Sequence, residues 1–320
     1  MVGDVPPGEV LAAFGLAGRE AFALGGPGRW VVSGERRWLL KRRRLPGPPE
    51  GWSWEVGLRE ALGTMGWPTA SGLVALDGAR WVVADGDVWT CEELLPGMPR
   101  GLRSVASWRV HGRLLARLHR DLAALAPGEQ RPGLGKVWEL DVLTEAAGVG
   151  PFNGLLAAFE VEYGELAREI RRERYRNLRE LSRLGYPDLR EQPIHGDFSP
   201  RNVLWLGGEL TGVVDWEFAR RDAALCDFAP LLMPFGPLEM RFAQALFDGY
   251  ASLRPVSNQE FGLLPALVRA SLLWWVTVLL VGWRLGRGGE VGIARTMRVR
   301  LPAFERFALD LGALRSEVRS

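Results

Sequence analysis

The chain has 320 residues, 47% hydrophobic and 24% charged. That is long enough to bury a sizeable core in one large or two modest domains, and too apolar for a disordered or fibrous protein. Forty basic residues against 38 acidic ones leave a formal charge of +2, too even a balance to recruit nucleic acid or an anionic membrane by net charge. Two cysteines, Cys91 and Cys226, and three histidines cannot build a disulfide framework or a Cys/His metal cluster, and they point to a reducing, cytoplasmic setting.

The opening MVGDVPPGEV has neither the basic region nor the apolar run of a secretory signal. Residues 8–16 read as a short helix. Strands follow at ALGGPG, RWVV and RRWLLKRR, a small β-meander. In the last of these, alternation places Arg37, Leu39 and Lys41 on one face and Trp38 and Leu40 on the other. Lys41 stands out because only Lys41 and Lys136 are lysine in a chain whose other basic residues are arginine, and ammonium is not interchangeable with guanidinium. After the turn LPGPPEG, the pattern predicts a helix from Ser53, its N-cap, to about Met65, carrying Glu55 and Glu60. WVVADGDVWTCEELL reads as a hairpin turning at Asp85-Gly86, ended by Pro96 and Gly97.

From Ser104 the chain turns helical, with Leu114, Leu115, Leu118, Leu122 and Leu125 at helical spacing. Residues 142–184 form a further helical stretch whose arginine-rich end alternates with glutamate, a solvated surface and not a nucleic-acid patch. Residues 194–214 hold short strands and turns, and helices resume to the end. The most apolar run, residues 263–283, carries Arg269, and its uncharged part falls short of the roughly 20 residues that cross a bilayer. It reads as a buried helix, so no membrane partner is expected.

Chemistry concentrates in Ile194-His195-Gly196-Asp197-Phe198-Ser199-Pro200-Arg201-Asn202-Val203-Leu204-Trp205 and, past the Gly207-Gly208 turn, Val213-Val214-Asp215-Trp216-Glu217. Two strands joined by a short turn bring Asn202 and Asp215 together, and an amide oxygen plus a carboxylate suit a hard cation such as Mg2+. Asp197 is left for the substrate. Phosphoryl transfer needs this division, since its catalysis is mostly positioning and charge neutralisation.

The string HGDFSPRN, of pattern His-x-Asp-x-x-x-x-Asn, together with VVDWE, resembles the aminoglycoside phosphotransferase and choline kinase superfamily, relatives of protein kinases. The resemblance implies an α+β, bilobal protein-kinase-like fold: a nucleotide-binding lobe with a small β-sheet over residues 1–95, and a mainly helical catalytic and substrate-binding lobe over 96–320, with ATP between them. It implies Asp197 as the catalytic aspartate, Asn202 and Asp215 as Mg2+ ligands, and Lys41 on the α and β phosphates of ATP, oriented by Glu55 or, as runner-up, Glu60. Gly25, Gly26 and Gly28 would form the loop over the phosphates. The stretch from Cys91 to Gly97 resembles the interlobe hinge, whose backbone at Glu93 and Leu95 would hold adenine. Asp227 resembles an aspartate that steadies the catalytic loop, and LLARLH, ending in His119, matches a family helix. The sequence departs from the family at Ser199, where many relatives have His, and at Pro27, which removes an amide donor from the glycine loop.

The activity implied is transfer of the γ-phosphoryl group of MgATP to a hydroxyl of a small molecule. Residues 222–320 hold 11 arginines against nine acidic residues, which disfavours a polycationic aminoglycoside, an aminoglycoside-resistance kinase being the alternative enzyme. A neutral or weakly charged metabolite is the first expectation; choline, sugars, amino alcohols and hydroxy amino acids all stay open. A non-catalytic scaffold, as in spore-coat proteins of this superfamily, would predict a damaged ATP site. A protein kinase would need an activation segment, and only 11 residues separate Asp215 from Asp227.

Overall fold

A computed structural model describes residues 5–25, 28–125, 128–232 and 239–308. The chain divides into two compact units, Met1–Arg100 with Asn202–Glu217, and Gly101–Arg201 with Phe218–Ser320. This differs from a single cut after residue 95, because residues 202–217 return to the first unit.

The first unit contains α1 (Gly8–Ala13), β1 (Ala21–Ala23), β2 (Arg29–Val32), β3 (Trp38–Arg42), α2 (Pro49–Thr64), β4 (Val82–Ala84), β5 (Asp87–Glu93) and β6 (Met98–Pro99). Five of the strands make an antiparallel sheet in the order β1-β2-β3-β5-β4. One face carries Trp30, Val32, Leu40, Trp89 and Cys91, which pack with Val10 and Leu11 from α1 and with Phe14 just after it into the core. Asp85 and Gly86, both at positive φ, close the β4–β5 hairpin as the sequence predicts. Helix α2 starts four residues before the expected Ser53. Its first residue is Pro49, where the missing N–H is one the helix would leave unpaired anyway. The Ser53 hydroxyl instead donates to the Pro49 carbonyl at 3.1 Å.

In the second unit, α3 (Val105–Ala124) opens on Ser104 with a capping box to Ser107. The stretch read as one helical region divides into α4 (Leu140–Ala146) and α5 (Phe152–Arg183), separated where Gly148 and Gly150 take positive φ, and α5 is itself kinked at Tyr163, whose φ of -127° and ψ of 48° are not helical. After α5 come β7 (Glu191–Ile194) and the 3-10 turn Pro200–Asn202. The chain then crosses into the first unit for β8 (Val203–Leu206) and β9 (Glu209–Val213). It returns with β10 (Arg220–Ala223), antiparallel to β7, and continues through α6 (Ala229–Leu232), α7 (Met240–Ala251), α8 (Asn258–Arg284) and α9 (Glu290–Arg295). Of the described helices, α8 alone is long and apolar enough to cross a membrane, but 78% of its apolar window is buried in the protein. Arg269 on it is 4% exposed and pairs with Glu180 and Glu305, as a buried charge must.

Candidate active site

Lys41 sits mid-sheet, between Arg29 of β2 and Thr90 of β5. Since Leu40 and Cys91 face the core, alternation turns Arg29, Leu39, Lys41, Thr90 and Glu92 to the other face. There the Lys41 Nζ lies 2.5 Å from Glu92 Oε1 and 4.0 Å from Asp215 Oδ1, its side chain 10% exposed. The carboxylate paired with Lys41 in the structure is thus Glu92, where the resemblance implies Glu55 or Glu60. Glu55 is buried and taken by Arg43 and Arg59, while Glu60 is at the surface with Arg80. The cause is register: Leu39 opposite Glu92 puts that carboxylate diagonal to Lys41 on the same face, within reach of a long side chain. Charges of alternating sign therefore run Arg43, Glu55, Arg59, Glu92, Lys41, Asp215, Arg29. Glu55 reaches Lys41 through Arg59 and Glu92.

The β8–β9 hairpin delivers the other half of this cluster. Its turn residues Gly207 and Gly208 have φ of 60° and 94°, as a two-residue hairpin turn requires. Pairing of Val203 with Val213 and the 2.9 Å bond from the Val214 N–H to the Asn202 carbonyl bring the two ends of the hairpin side by side, so Asn202 and Asp215 emerge together as the sequence predicts. Asp215 holds φ at 67°, a left-handed conformation that costs a non-glycine residue about 1 kcal/mol or more and tends to be kept at functional sites. Its Oδ2 accepts from Arg29 Nη2 at 2.5 Å. Burial alone would raise the Asp215 pKa, but Lys41, Arg29 and Arg44 outweigh it and hold the group ionised below the usual carboxylate range. The buried Oδ1 accepts no hydrogen bond among the described residues. An ionised carboxylate oxygen with spare lone pairs is the kind of donor that a hard divalent cation takes, and the Asn202 backbone lies alongside it through the Val214 bond.

Asp197 belongs to the second unit, on the loop after β7. The loop is fixed from below. Asp227 accepts from the backbone N–H of His195 at 2.9 Å, from that of Gly196 at 2.6 Å and from His119 Nε2 at 3.0 Å. Burial opposes its charge, but these donors keep its pKa low. His119, fully buried, also contacts the Tyr250 hydroxyl at 2.8 Å. Gly196 has φ of 81°, and a Cβ there would lie 2.1 Å from the Phe218 carbonyl oxygen, so only glycine fits. The Asp197 carbonyl accepts from the Ser199 N–H at 2.7 Å, and its half-buried side chain stands within the electrostatic field of Arg300, which also feels Arg201 and Arg295.

Gly25 and Gly28, at φ of 62° and 82°, flank the β1–β2 connection, closed by the Leu24 N–H on the Arg29 carbonyl at 2.9 Å; Gly26 and Pro27 lie outside the described residues. At the end of β5 the Leu94 N–H bonds the Arg37 carbonyl and the Glu93 N–H bonds Ser71 on the opposite side, so Glu93 turns its backbone away from β3. The Leu95 side chain approaches Gly212 of β9. Glu92 and Arg29 were missed by the motif reading. Arg29 has no motif signal, and Glu92 lay inside the hinge string with no role attached to its side chain.

A model of the phosphotransferase enzyme family (APH) matches residues 27–259. Homoserine kinase of Methylocella silvestris is 40% identical over 101 residues, 30% of this chain and 32% of that one. Homoserine kinase of Rhizobium johnstonii is 28% identical over 233 residues, 71% of this chain and 68% of that one. The chain thus spans about a third of the length of the first curated relatives it matches. Among solved structures, a microcompartment-associated aminopropanol kinase superposes with a TM-score of 0.65 at 18% identity, covering 95% of this chain and 97% of that one. An amicoumacin kinase in complex with AMP-PNP and Ca2+ superposes at 0.62 and 13% identity, covering 89% and 88%. These likenesses show a shared fold, the α+β, protein-kinase-like one that the sequence predicts.

Proposed function

As the chain belongs to the phosphotransferase enzyme family, we propose that it transfers the γ-phosphoryl group of MgATP to the hydroxyl of a small amino alcohol or hydroxy amino acid. The observation that carries this reading is the meeting of Lys41 Nζ with Asp215 Oδ1 at 4.0 Å, a cation and a spare carboxylate oxygen such as a metal-bound polyphosphate needs. Lys41 would hold the α and β phosphates, with Glu92 fixing its ammonium. Asp215 and Asn202 would hold Mg2+, which when bound neutralises charge on the phosphates. Gly25, Gly26 and Gly28 would border the triphosphate, and the backbone at Glu93 and Leu95 would receive the adenine edge. Asp197 orients the acceptor hydroxyl and takes its proton as the oxygen bonds to the γ-phosphorus and the bond to the ADP oxygen breaks.

The acceptor class is drawn from relatives named for homoserine and aminopropanol and from the arginine-rich composition of residues 222–320, which suits a polycation poorly. The test is ATP consumption against homoserine, aminopropanol, choline and an aminoglycoside. Homoserine or aminopropanol is expected to stimulate turnover, and Asp197→Ala to lower it about 100-fold or more while the melting-temperature rise with MgADP persists. Unchanged turnover in Asp197→Ala would remove that aspartate from the mechanism. No melting-temperature rise with MgATP, together with no turnover on any acceptor, would favour the scaffold.

A further inference from the structure

We propose that Arg29 is an exchangeable counter-ion for Asp215: it occupies the carboxylate while the site is empty and yields it to the divalent cation that arrives with the nucleotide. The inference rests on the reading of Asp215 as a metal ligand.

Among the described residues two cations form ion pairs with Asp215, and they differ in freedom. Lys41 is enclosed, 10% exposed and gripped by Glu92 at 2.5 Å. Arg29 is 33% exposed against 15% for Asp215, so its guanidinium has water to retreat into without moving the sheet. It stands at the first residue of β2, directly after the glycine connection, and its register with Lys41 puts both side chains on one face. The contact is a single 2.5 Å bond to Oδ2, not the two-pronged grip that makes arginine–carboxylate pairs strong.

Asp215 is half-buried, its side chain 15% exposed with Oδ1 enclosed, so without a cation it is a partly desolvated anion that needs a partner. Arg29 serves as one, and a dication can replace it with greater charge on the same oxygens. The displaced guanidinium is not stranded. Glu217 and Glu92 also attract it, and the incoming phosphates carry more negative charge than one dication cancels, in a geometry that guanidinium matches. In the absence of nucleotide, Arg29 therefore competes with the cation for Asp215.

Mn2+ binding to the nucleotide-free protein, followed by the electron paramagnetic resonance of the free ion, tests this. Arg29→Gln is expected to bind Mn2+ about 5-fold more tightly or better than wild type, the size of a modest coupling between sites. Arg29→Lys, which keeps the charge but not the planar head, is expected to fall between them and serves if the glutamine variant folds poorly. Arg42→Gln should match wild type: it also removes one positive charge, but from the opposite face of β3, where Arg42 pairs with Asp87. Equal or weaker Mn2+ binding by Arg29→Gln, or no measurable binding by it, overturns the proposal. Asp215→Asn separates the two ideas. Undiminished binding there refutes Asp215 as ligand, whereas loss of binding there with no gain in Arg29→Gln refutes only the exchange.

Discussion

A lysine buried in a sheet has to find a carboxylate, and β5 supplies one closer than α2 does. Strand alternation gave the correct face for Lys41 from sequence, but its partner followed from the pairing of Leu39 with Glu92, a register that one strand's own residues do not encode. His111 shows the same limit. Its contacts leave no mark in the sequence: it is 2% exposed and lies against Phe198 with ring centroids 4.9 Å apart. Burial lowers its pKa to about 4 despite a hydrogen bond with the Phe198 backbone. In the unfolded chain it titrates near ~6.5, so between those values the unfolded state binds the extra proton and stability rises with pH. The contribution is complete above pH ~6.5 and is lost as pH falls towards about 4, a total of about 3 kcal/mol. Urea midpoints at pH 7 and 4.5 should therefore fall further for wild type than for His111→Gln. Asp227, whose pKa lies below the ordinary carboxylate range, interferes only at lower pH. Equal slopes in the two proteins would show that His111 is not neutral by burial.

Among the helices, the leucine spacing of α3 identified its buried face, with Leu115, Leu118 and Leu122 fully enclosed. What it meets there was not legible, because a glycine in a helix reads only as a weak helix former. Gly112 of α3 and Gly249 of α7 let the two backbones touch. A Cβ on Gly112 would lie 2.1 Å from the Leu246 carbonyl oxygen, and one on Gly249 would lie 2.1 Å from that of Arg109. Those obstacles are backbone and cannot rotate away. Gly112→Ala is expected to destabilise the protein by about 1–3 kcal/mol, the usual cost of overpacking. Gly57→Ala is the matched control. It lies on the exposed side of α2 with nothing within 4 Å of its Cβ position, so it should stabilise by up to about 1 kcal/mol. Chemical denaturation of both variants decides, and a Gly112→Ala as stable as wild type would mean that the helices can separate freely. Helix starts were harder to read: Ser53 offered a cap, but Pro49 began the helix a turn earlier.

At the scale of the molecule, a sheet-bearing region followed by a helical one is legible in the sequence, whereas the return of residues 202–217 to the first unit is not. Residues 202–217 belong to it because their bonding partners are there. Met98 and Pro99 of β6 pair with Trp205 and Leu204 of β8. The Val213 N–H donates to the Pro68 carbonyl at 2.9 Å, and the Thr211 hydroxyl donates to the Pro96 carbonyl at 2.6 Å. Such long-range pairings leave no local pattern in either segment, unlike the Asp85-Gly86 turn, whose conformation is written in its own two residues. They also close the charge chain, since Asp215 is the counter-ion of both Arg29 and Lys41. A fragment of residues 1–100 therefore keeps its five-stranded sheet but loses a neighbour for β6, two hydrogen bonds and the anion between two cations. Unpaired buried charge and an open strand edge both oppose a unique fold, so the fragment is expected to melt broadly and to bind a hydrophobic dye. Joining residues 202–217 to it through a Gly/Ser linker should sharpen the thermal transition and reduce dye binding. If residues 1–100 alone melt as cooperatively as the joined chain, the hairpin is only an attachment, and the reading of Asp215 as a metal ligand loses its structural footing in that unit.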